Sequence, residues 1–236
     1  MKCVLLCAML LLSWFNQPNG AVNCQEKTQT TNLKQTTMKV HQILNGISNP
    51  PLELISETLD SEVSPLKLET INWDEFSYLP DVSVQIAYND DELFLQYNVS
   101  EQSVKAVETA SSGRVWTDSC VEFFLSPDRN DFYYNLEMNC IGTILLGYRK
   151  KGDPTDHASE ELIRSIRRIS SLGDKPFAEK KEPTSWQITV AIPWNVFFKH
   201  DLKPVKGRKM RGNFYKCGDE LSVPHFVSWT KIENEK

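Results

Sequence analysis

The sequence lacks the cysteine spacing of a disulfide-rich or zinc-binding domain. It has six cysteines in 236 residues, and two of them, Cys3 and Cys7, fall in the apolar stretch at the N-terminus. The other four are far apart in the chain: Cys24, Cys120, Cys140 and Cys217. None belongs to a CxxC pair or to a paired His/Cys spacing, so neither a cysteine scaffold nor a zinc site is expected.

The chain also lacks an excess of positive charge. The chain has 26 Lys and Arg against 31 Asp and Glu, which gives a net charge of −5. An acidic protein is repelled by phosphate backbones and anionic lipid surfaces, so nucleic acid and anionic membrane are not expected as partners. The sequence has no Gly-rich phosphate loop and no internal repeat, which argues against nucleotide binding and solenoid architectures.

No hydrophobic run is long enough to span a bilayer comfortably. The longest covers residues 3–15 and is followed by a polar stretch, residues 16–21, with Pro18 and Gly20. This layout predicts a signal peptide over residues 1–20, cleaved near residues 20–23. The alternative is a lipoprotein anchored at Cys24. Either way the mature protein is expected to be secreted, periplasmic or at the cell surface, with a polar tether over residues 21–38 and one domain over residues 39–236.

The domain is dominated by short alternating runs that are typical of strands. Residues 82–86 and 93–99 form one predicted hairpin, and residues 121–125 and 132–140 form another across an acidic turn. Ser159 is a plausible N-cap for a short helix that gives way to a strand. The pattern predicts an all-β fold, a two-sheet antiparallel β-sandwich of jelly-roll type with one short helix.

The second hairpin separates an apolar face from a polar one. Tyr134 and the alternate residues up to Cys140 are predicted to face the core. Glu137 and Asn139 lie on the other face, and Glu122 of the partner strand should join them, because a carboxylate facing the core would be costly. This parity disfavours a Cys120–Cys140 disulfide. Carboxylates and amides suit sugar hydroxyls, which both donate and accept hydrogen bonds, although an ordinary solvated sheet face has the same pattern.

Aromatic platforms are the other requirement of a sugar site, because a pyranose packs its C–H face on an aromatic plane. Trp186 alternates with apolar strand residues and is predicted to be core, and Trp73 to be core or at the rim. Trp116 follows a small-residue loop at the start of the Glu122 strand, and Trp229 ends the last apolar run. These two are the candidate platforms, although a lone Trp is more often a core residue.

Residues 115–128, VWTDSCVEFFLSPD, resemble the W-x-D-S-x-V-E-x-F segment of family 9 carbohydrate-binding modules. Further segments follow in the same order, among them residues 186–194, 211–215 and 227–229. The resemblance implies a β-sandwich in which Trp116 and Trp229 clamp a sugar, with Glu122 as a polar contact. It also points to Glu137, where sugar-binding members can have a basic residue, and to Asn213 and Tyr215.

Calcium ions are structural in some members of that family, so the resemblance makes structural calcium a candidate cofactor. The acidic turns at residues 90–91 and 128–131 could supply oxygen ligands, but they could equally be ordinary turns. No metal-binding residue is therefore assigned from the sequence.

Together these patterns predict an exported, non-catalytic module that binds an oligo- or polysaccharide and serves polysaccharide degradation. One alternative is a glycoside hydrolase that uses Glu122 and Glu137, because carboxylates on adjacent strands could approach the roughly 5 Å separation of retaining enzymes. A second is a haem-binding redox sandwich with Met138 and a histidine as ligands. A third is a structural or protein-binding surface domain in which Trp116 is buried.

Overall fold

The computed structural model describes residues 36–204 and 206–232. The predicted signal peptide and most of the predicted tether lie outside the described residues. All the elements below belong to one unit, Thr37–Lys236. Among the residues described, no helix has the length and apolar character needed to cross a membrane.

Two sheets form the fold. The first has six strands: β1 (His41–Gln42), β2 (Leu66–Lys67), β4 (Asp81–Tyr88), β5 (Glu92–Glu101), β11 (Arg167–Ser170) and β13 (Thr184–Pro193). Its order is β1-β4-β5-β13-β11, with β2 beside β4. All pairs in this sheet are antiparallel except β1 with β4.

The second sheet has seven strands, all antiparallel to their neighbours. They are β3 (Thr70–Ile71), β7 (Cys120–Ser126), β8 (Phe132–Asn139), β9 (Ile144–Lys150), β10 (Asp156–His157), β14 (Arg211–Cys217) and β15 (Phe226–Ser228). The order is β10-β9-β8-β7-β14-β15-β3. A short ribbon pairs β6 (Val104–Ala106) with β12 (Phe177–Lys180).

The main hydrophobic core combines alternate residues of both sheets. Val84 and Leu95 from the six-stranded sheet share it with Val121 and Leu136 from the seven-stranded sheet, and Trp186 is also buried there. Both predicted hairpins are present, as β4-β5 and β7-β8. The predicted β-sandwich is confirmed, because period-two alternation on each sheet leaves one apolar face to bury against the other sheet.

The described residues contain two α-helices, one more than the sequence predicted. Helix α1 (Leu52–Glu62) begins after Pro51 and packs on the outer side of the six-stranded sheet. Ile55 and Leu59, one helical turn apart, are its buried apolar anchors, and they contact a small cluster that includes Phe94. Two buried apolar residues give only weak helical periodicity in the sequence. The stability of the helix therefore depends on packing against the sheet surface that it covers.

Helix α2 (Glu160–Ser165) is the helix that the sequence predicted. The Ser159 hydroxyl accepts a hydrogen bond from the Leu162 N–H at 3.3 Å, as expected of an N-cap. Ile163 is buried in the main core. The chain then enters β11, which pairs with β13.

A buried polar network ties β14 to β5 within the main core. The Lys216 ammonium lies 2.9 Å from a Glu101 carboxylate oxygen and 2.7 Å from His225 Nε2. Burial and the neighbouring Lys216 ammonium lower the pKa of His225 to about 3. Its Nδ1–H therefore donates to the Val223 carbonyl while Nε2 accepts from Lys216. Because Lys216 faces inward, Tyr215 and Cys217 on either side of it face outward.

Candidate functional site

The outward side of the seven-stranded sheet, called the outer face below, brings most of the predicted site residues together. Strand register arranges them in three rows across the sheet. The first row is Tyr215, Glu122, Glu137 and Leu145; the second is Asn213, Phe124, Asn135 and Gly147; the third is Cys217, Cys120 and Asn139. The predicted separation of faces on β7 and β8 is confirmed, because Tyr134, Met138 and Cys140 lie in the main core.

Glu122 and Glu137 are directly opposite each other on β7 and β8. The Asn135 side-chain amide donates to both carboxyl groups, at 3.0 Å to Glu122 Oε2 and 2.8 Å to Glu137 Oε1. Burial raises the pKa of each carboxyl group, and the neighbouring Glu122 carboxylate raises that of Glu137 further. Two adjacent carboxyl groups with raised pKa values retain a proton near neutral pH, so together they can both donate to and accept from a ligand.

Part of the outer face is accessible. Glu122 is only 6% exposed, whereas Glu137, Phe124 and Tyr133 are half-buried. The Arg149 guanidinium is exposed and donates to the Tyr133 hydroxyl at 3.2 Å. These accessible groups form the rim of the outer face around the buried Glu122. The rim consists of the Phe124 and Tyr133 rings, the Glu137 carboxyl group and the Arg149 guanidinium.

Trp116 lies at the edge of this face in a single 3-10 turn, Val115–Thr117, and is half-buried. The preceding loop is held by the Glu108 carboxylate, which accepts from the backbone N–H groups of Ala110 and Arg114. Gly113 packs so closely on that carboxylate that a Cβ would collide with it. The Trp116 ring joins a second hydrophobic cluster that contains Tyr215 and Cys217, which places it beside the Glu122 row.

Asp118 and Asn139 connect the Trp116 turn to the sheet through hydrogen bonds and do not face a ligand. Both are fully buried. Asp118 Oδ2 accepts from two backbone N–H groups of the chain before the loop and from the Asn139 amide. Asn139 also donates to the Glu108 carbonyl and accepts from the Thr143 N–H. Since every polar atom of the Asn139 amide has a protein partner, the structure does not place this predicted sugar contact within reach of a sugar.

The structure does not bring Trp229 together with Trp116. Trp229 follows Ser228 at the end of β15, is half-buried, and packs on Phe214 against the main core, with ring centres 5.9 Å apart. Alternation along β15 puts Phe226 and Ser228 on the outer face and turns Trp229 inward. Phe226 instead contacts Trp73 edge-on at 5.4 Å, in the cluster that also contains Trp116.

Asn213 and Tyr215 are on the outer face, but their polar groups differ in availability. The Asn213 amide is committed to the backbone: it donates to the Thr230 carbonyl and accepts from the N–H groups of Phe214 and Thr230. Tyr215 is 7% exposed and lies next to Glu122 in the first row. Burial raises the pKa of its hydroxyl, with smaller contributions from Cys217 and Glu122. It is therefore a neutral hydroxyl beneath the accessible surface.

Among the described residues, one group has three convergent metal-ligating atoms, namely those of Cys120, Glu122 and Cys217. The acidic turns considered for calcium have other contacts: Asp91 accepts from the Ser48 hydroxyl, and Asp128 contacts His200. Structural calcium remains a prediction from the resemblance, and the donors brought together here, two thiols and one carboxyl group, do not suit that hard cation.

The geometry does not favour the haem alternative. Met138 is fully buried in the main core and His225 accepts from Lys216, so neither is free to ligate iron. The carboxyl pair also does not resemble the acid and nucleophile of a glycosidase, in which one carboxylate must stay ionised. Here burial raises both pKa values.

Sequence reasoning missed three residues of this face. Asn135 lies on the same face of β8 as Glu137, but its position between the two carboxyl groups depends on strand register. Arg149 lies opposite Tyr133 on β9, a strand that the sequence did not predict. Trp73 joins the cluster only because β3 pairs with β15. Alternation along β9 could have indicated Arg149, whereas no local pattern indicates Trp73.

Comparison with known proteins gives a consistent picture. The family model of carbohydrate-binding family 9 matches residues 53–236. A predicted carbohydrate-binding protein from Bacteroides uniformis has a crystal structure with 40% sequence identity and a TM-score of 0.79, over 84% of this chain and 90% of that one. No curated protein matches this chain.

A second solved structure is more distant. It is a family 9 carbohydrate-binding module from Caldicellulosiruptor kristjanssonii in complex with cellotriose, with 11% identity and a TM-score of 0.50, over 80% of this chain and 83% of that one. At this identity the similarity shows the fold alone.

Proposed function

The chain belongs to carbohydrate-binding family 9, whose members are non-catalytic carbohydrate-binding domains, and we propose that it binds sugar on the outer face of the seven-stranded sheet. Trp116 is the stacking platform in this proposal. Glu122, Asn135 and Glu137 supply the central polar contacts, and Arg149 adds donors at the rim. Trp229 packs on Phe214 and is not assigned to a clamp with Trp116 in this proposal.

One observation carries the proposal: a single amide holds two carboxyl groups on a rigid sheet beside a half-buried tryptophan. A carboxyl pair that retains a proton can satisfy hydroxyl groups as donor and as acceptor. Asn135 Oδ1 is buried and has no hydrogen-bond donor among the described residues. An unsatisfied buried acceptor costs about 1–3 kcal/mol, and a ligand hydroxyl could supply the missing donor.

The aromatic surface supports the same site. Pyranose C–H groups pack on aromatic planes, and three half-buried rings, those of Trp116, Phe124 and Tyr133, border the carboxyl pair. The Arg114 guanidinium lies 5.9 Å from the centre of the Trp116 ring and pairs with Glu220 at 2.8 Å. Because this pair is exposed, it contributes little stability and can shift when a ligand approaches.

We further propose that the protein is exported and serves polysaccharide degradation, holding a partner enzyme or the cell close to its substrate. The apolar run over residues 3–15 and the polar stretch after it support export. The carbohydrate-binding family supports the role at a polysaccharide.

Isothermal titration calorimetry of the protein without residues 1–20 tests the proposed site. The ligand panel contains glucose, xylose, mannose and galactose and their short β-linked oligomers, with cellotriose included because the distant relative binds it. We expect saturable binding of at least one sugar, a loss of about tenfold or more in affinity for Trp116→Ala, and a comparable loss for Glu122→Gln, which keeps the size of the side chain but changes its donors.

Two control variants separate the proposed site from general effects on the fold. Trp194→Ala removes a half-buried tryptophan in the 3-10 turn that follows β13 of the six-stranded sheet, and should leave affinity unchanged. Trp229→Ala should lower the free energy of unfolding, because it leaves a cavity beside Phe214. Wild-type affinity in Trp116→Ala, or a selective loss of binding in Trp229→Ala at unchanged stability, would refute the proposed platform. A folded protein that binds no sugar would favour the protein-binding alternative.

A further inference from the structure

Two cysteines of the outer face lie opposite each other on adjacent strands. Cys120 begins β7, Cys217 ends β14, and strand register pairs them directly. Their sulfur atoms are within 4.8 Å of each other. Directly opposed residues of an antiparallel pair have Cα atoms about 4.5–5.5 Å apart, which falls inside the range that a disulfide spans. The two sulfurs could therefore bond after side-chain rotation, with little movement of the backbone.

Both thiols are fully buried, and the hydrogen bond from the Cys217 S–H to Glu122 is the contact that oxidation would remove. The Cys217 thiol lies 3.3 Å from Glu122 Oε1 and 3.9 Å from the Trp116 carbonyl oxygen. The Cys120 thiol faces its own strand, 3.7 Å from the Val121 carbonyl. Burial raises the pKa of the Cys120 thiol to about 11, so the folded, reduced pair is protonated and slow to react.

The third described cysteine provides a contrast. Cys140 lies in the main core on the opposite side of the sheet, where its thiol faces the Lys105 carbonyl at 3.5 Å. Cys120 and Cys140 are thus separated by the sheet itself, as the sequence predicted. Of these three cysteines, only Cys120 and Cys217 share a face and a register position.

We propose that Cys120 and Cys217 form a redox modification site, in which oxidation joins them in a disulfide between β7 and β14 beneath the Glu122 carboxyl group. The two S–H bonds break and one S–S bond forms. Two electrons and two protons pass to an external disulfide, such as oxidised glutathione or the disulfide of a thiol oxidoreductase, which is reduced to two thiols. Export, if it occurs, brings the folding chain into an oxidising compartment where this exchange takes place before the thiols are buried.

The modification would change the first row of the outer face. In the reduced protein the Cys217 S–H can donate to Glu122 Oε1, and oxidation removes that hydrogen. The disulfide would also link β14 to β7 close to the Trp116 turn, whose carbonyl oxygen lies 3.9 Å from the Cys217 sulfur. If the proposed sugar site is correct, the reduced and oxidised forms should differ in sugar affinity by about threefold or more, because one hydrogen bond to a carboxyl group changes. The disulfide itself does not depend on the sugar site.

Refolding in glutathione buffers tests the proposal. In a protein with Cys3, Cys7 and Cys24 replaced by Ser, three thiols remain. The chain is unfolded in urea and refolded at a series of reduced-to-oxidised glutathione ratios, then alkylated, digested and analysed by mass spectrometry. We expect one intramolecular disulfide that joins the peptides containing Cys120 and Cys217, with Cys140 alkylated after denaturation.

Single-cysteine variants test which two thiols form the disulfide. Cys140→Ala should form the same disulfide, whereas Cys120→Ala and Cys217→Ala should leave their remaining thiols free or mixed with glutathione. The disulfide closes a loop of roughly 100 residues, so the oxidised protein should unfold at a higher urea concentration than the reduced one. Three thiols still free in oxidising buffer, a disulfide that includes Cys140, or stoichiometric Zn²⁺ bound by the same thiols in preference to oxidation would each overturn the proposal. Failure of all sugars to bind would leave the disulfide result unaffected.

Discussion

Replacing Glu137 by Gln should change how the stability of the protein depends on pH. Glu122 and Glu137 accept from the same Asn135 amide nitrogen at 3.0 and 2.8 Å, so their accepting oxygens are less than about 6 Å apart. At an effective dielectric constant of about 20, two charges about 5 Å apart repel by about 3 kcal/mol. Because Glu137 is partly exposed, solvent screening reduces this energy, and about 2 kcal/mol is the expected effect.

The sign follows from proton binding. Burial, together with the neighbouring carboxylate, raises the pKa of Glu137 in the folded protein. Its carboxyl group in the unfolded chain titrates near the ordinary value of about 4.3. Below that value both states are protonated and wild type should match Glu137→Gln. As the pH rises above it, the unfolded chain releases protons that the folded protein retains, so wild type should lose stability relative to the variant through neutral pH.

Urea unfolding followed by tryptophan fluorescence, between about pH 4.5 and about pH 9, measures this difference directly. The Gln side chain can still accept from Asn135, so the variant removes the charge and keeps the contact. Glu182→Gln, at an exposed position before β13, is the matched control and should parallel wild type at every pH. Wild-type and Glu137→Gln stabilities that run parallel to within about 0.5 kcal/mol across the range would refute the account of a repelling buried pair.

Two further predictions concern buried polar side chains. Asn139→Ala should lower the free energy of unfolding by roughly 2–4 kcal/mol, because it leaves Asp118 and the Thr143 N–H short of partners in a site with no solvent; a loss below about 1 kcal/mol in urea unfolding would contradict this role. Lys216→Met should cost about 3–5 kcal/mol, because it leaves the Glu101 carboxylate buried without its counter-ion. The double variant with Glu101→Gln should recover much of that stability, and a double variant no more stable than the single one would show that the charge is not the cause.

The sequence was most informative where one local pattern decides the result. Alternation on β7 and β8 correctly assigned Glu122 and Glu137 to one face and Met138 to the other. Ser159 correctly marked the start of α2. The same reasoning failed for α1, whose two buried apolar residues give too weak a periodicity to stand out from a loop.

Candidate binding residues were harder to predict, because residue type and position do not show whether a polar side chain is already hydrogen-bonded within the protein. Asn139 and Asn213 have the amide groups expected of a sugar site, but the structure commits both amides to the protein itself. Trp229 matches the family segment and nevertheless faces the main core. Conversely, Asn135 and Arg149 became candidate contacts only through neighbours on other strands. Asn135 donates to Glu122 on β7, and Arg149 donates to Tyr133 on β8.

The sequence by itself determined the fold class and the division of each long strand into a core face and an outer face, because the period of two is a local property of an extended chain. Only the tertiary structure decided which outer-face residues meet, since the order and register of strands distant in sequence are set by packing of the whole sheet. That is why the Glu122–Asn135–Glu137 group, the Trp73 contact and the pairing of Cys120 with Cys217 became visible only when β7, β8 and β14 were placed side by side.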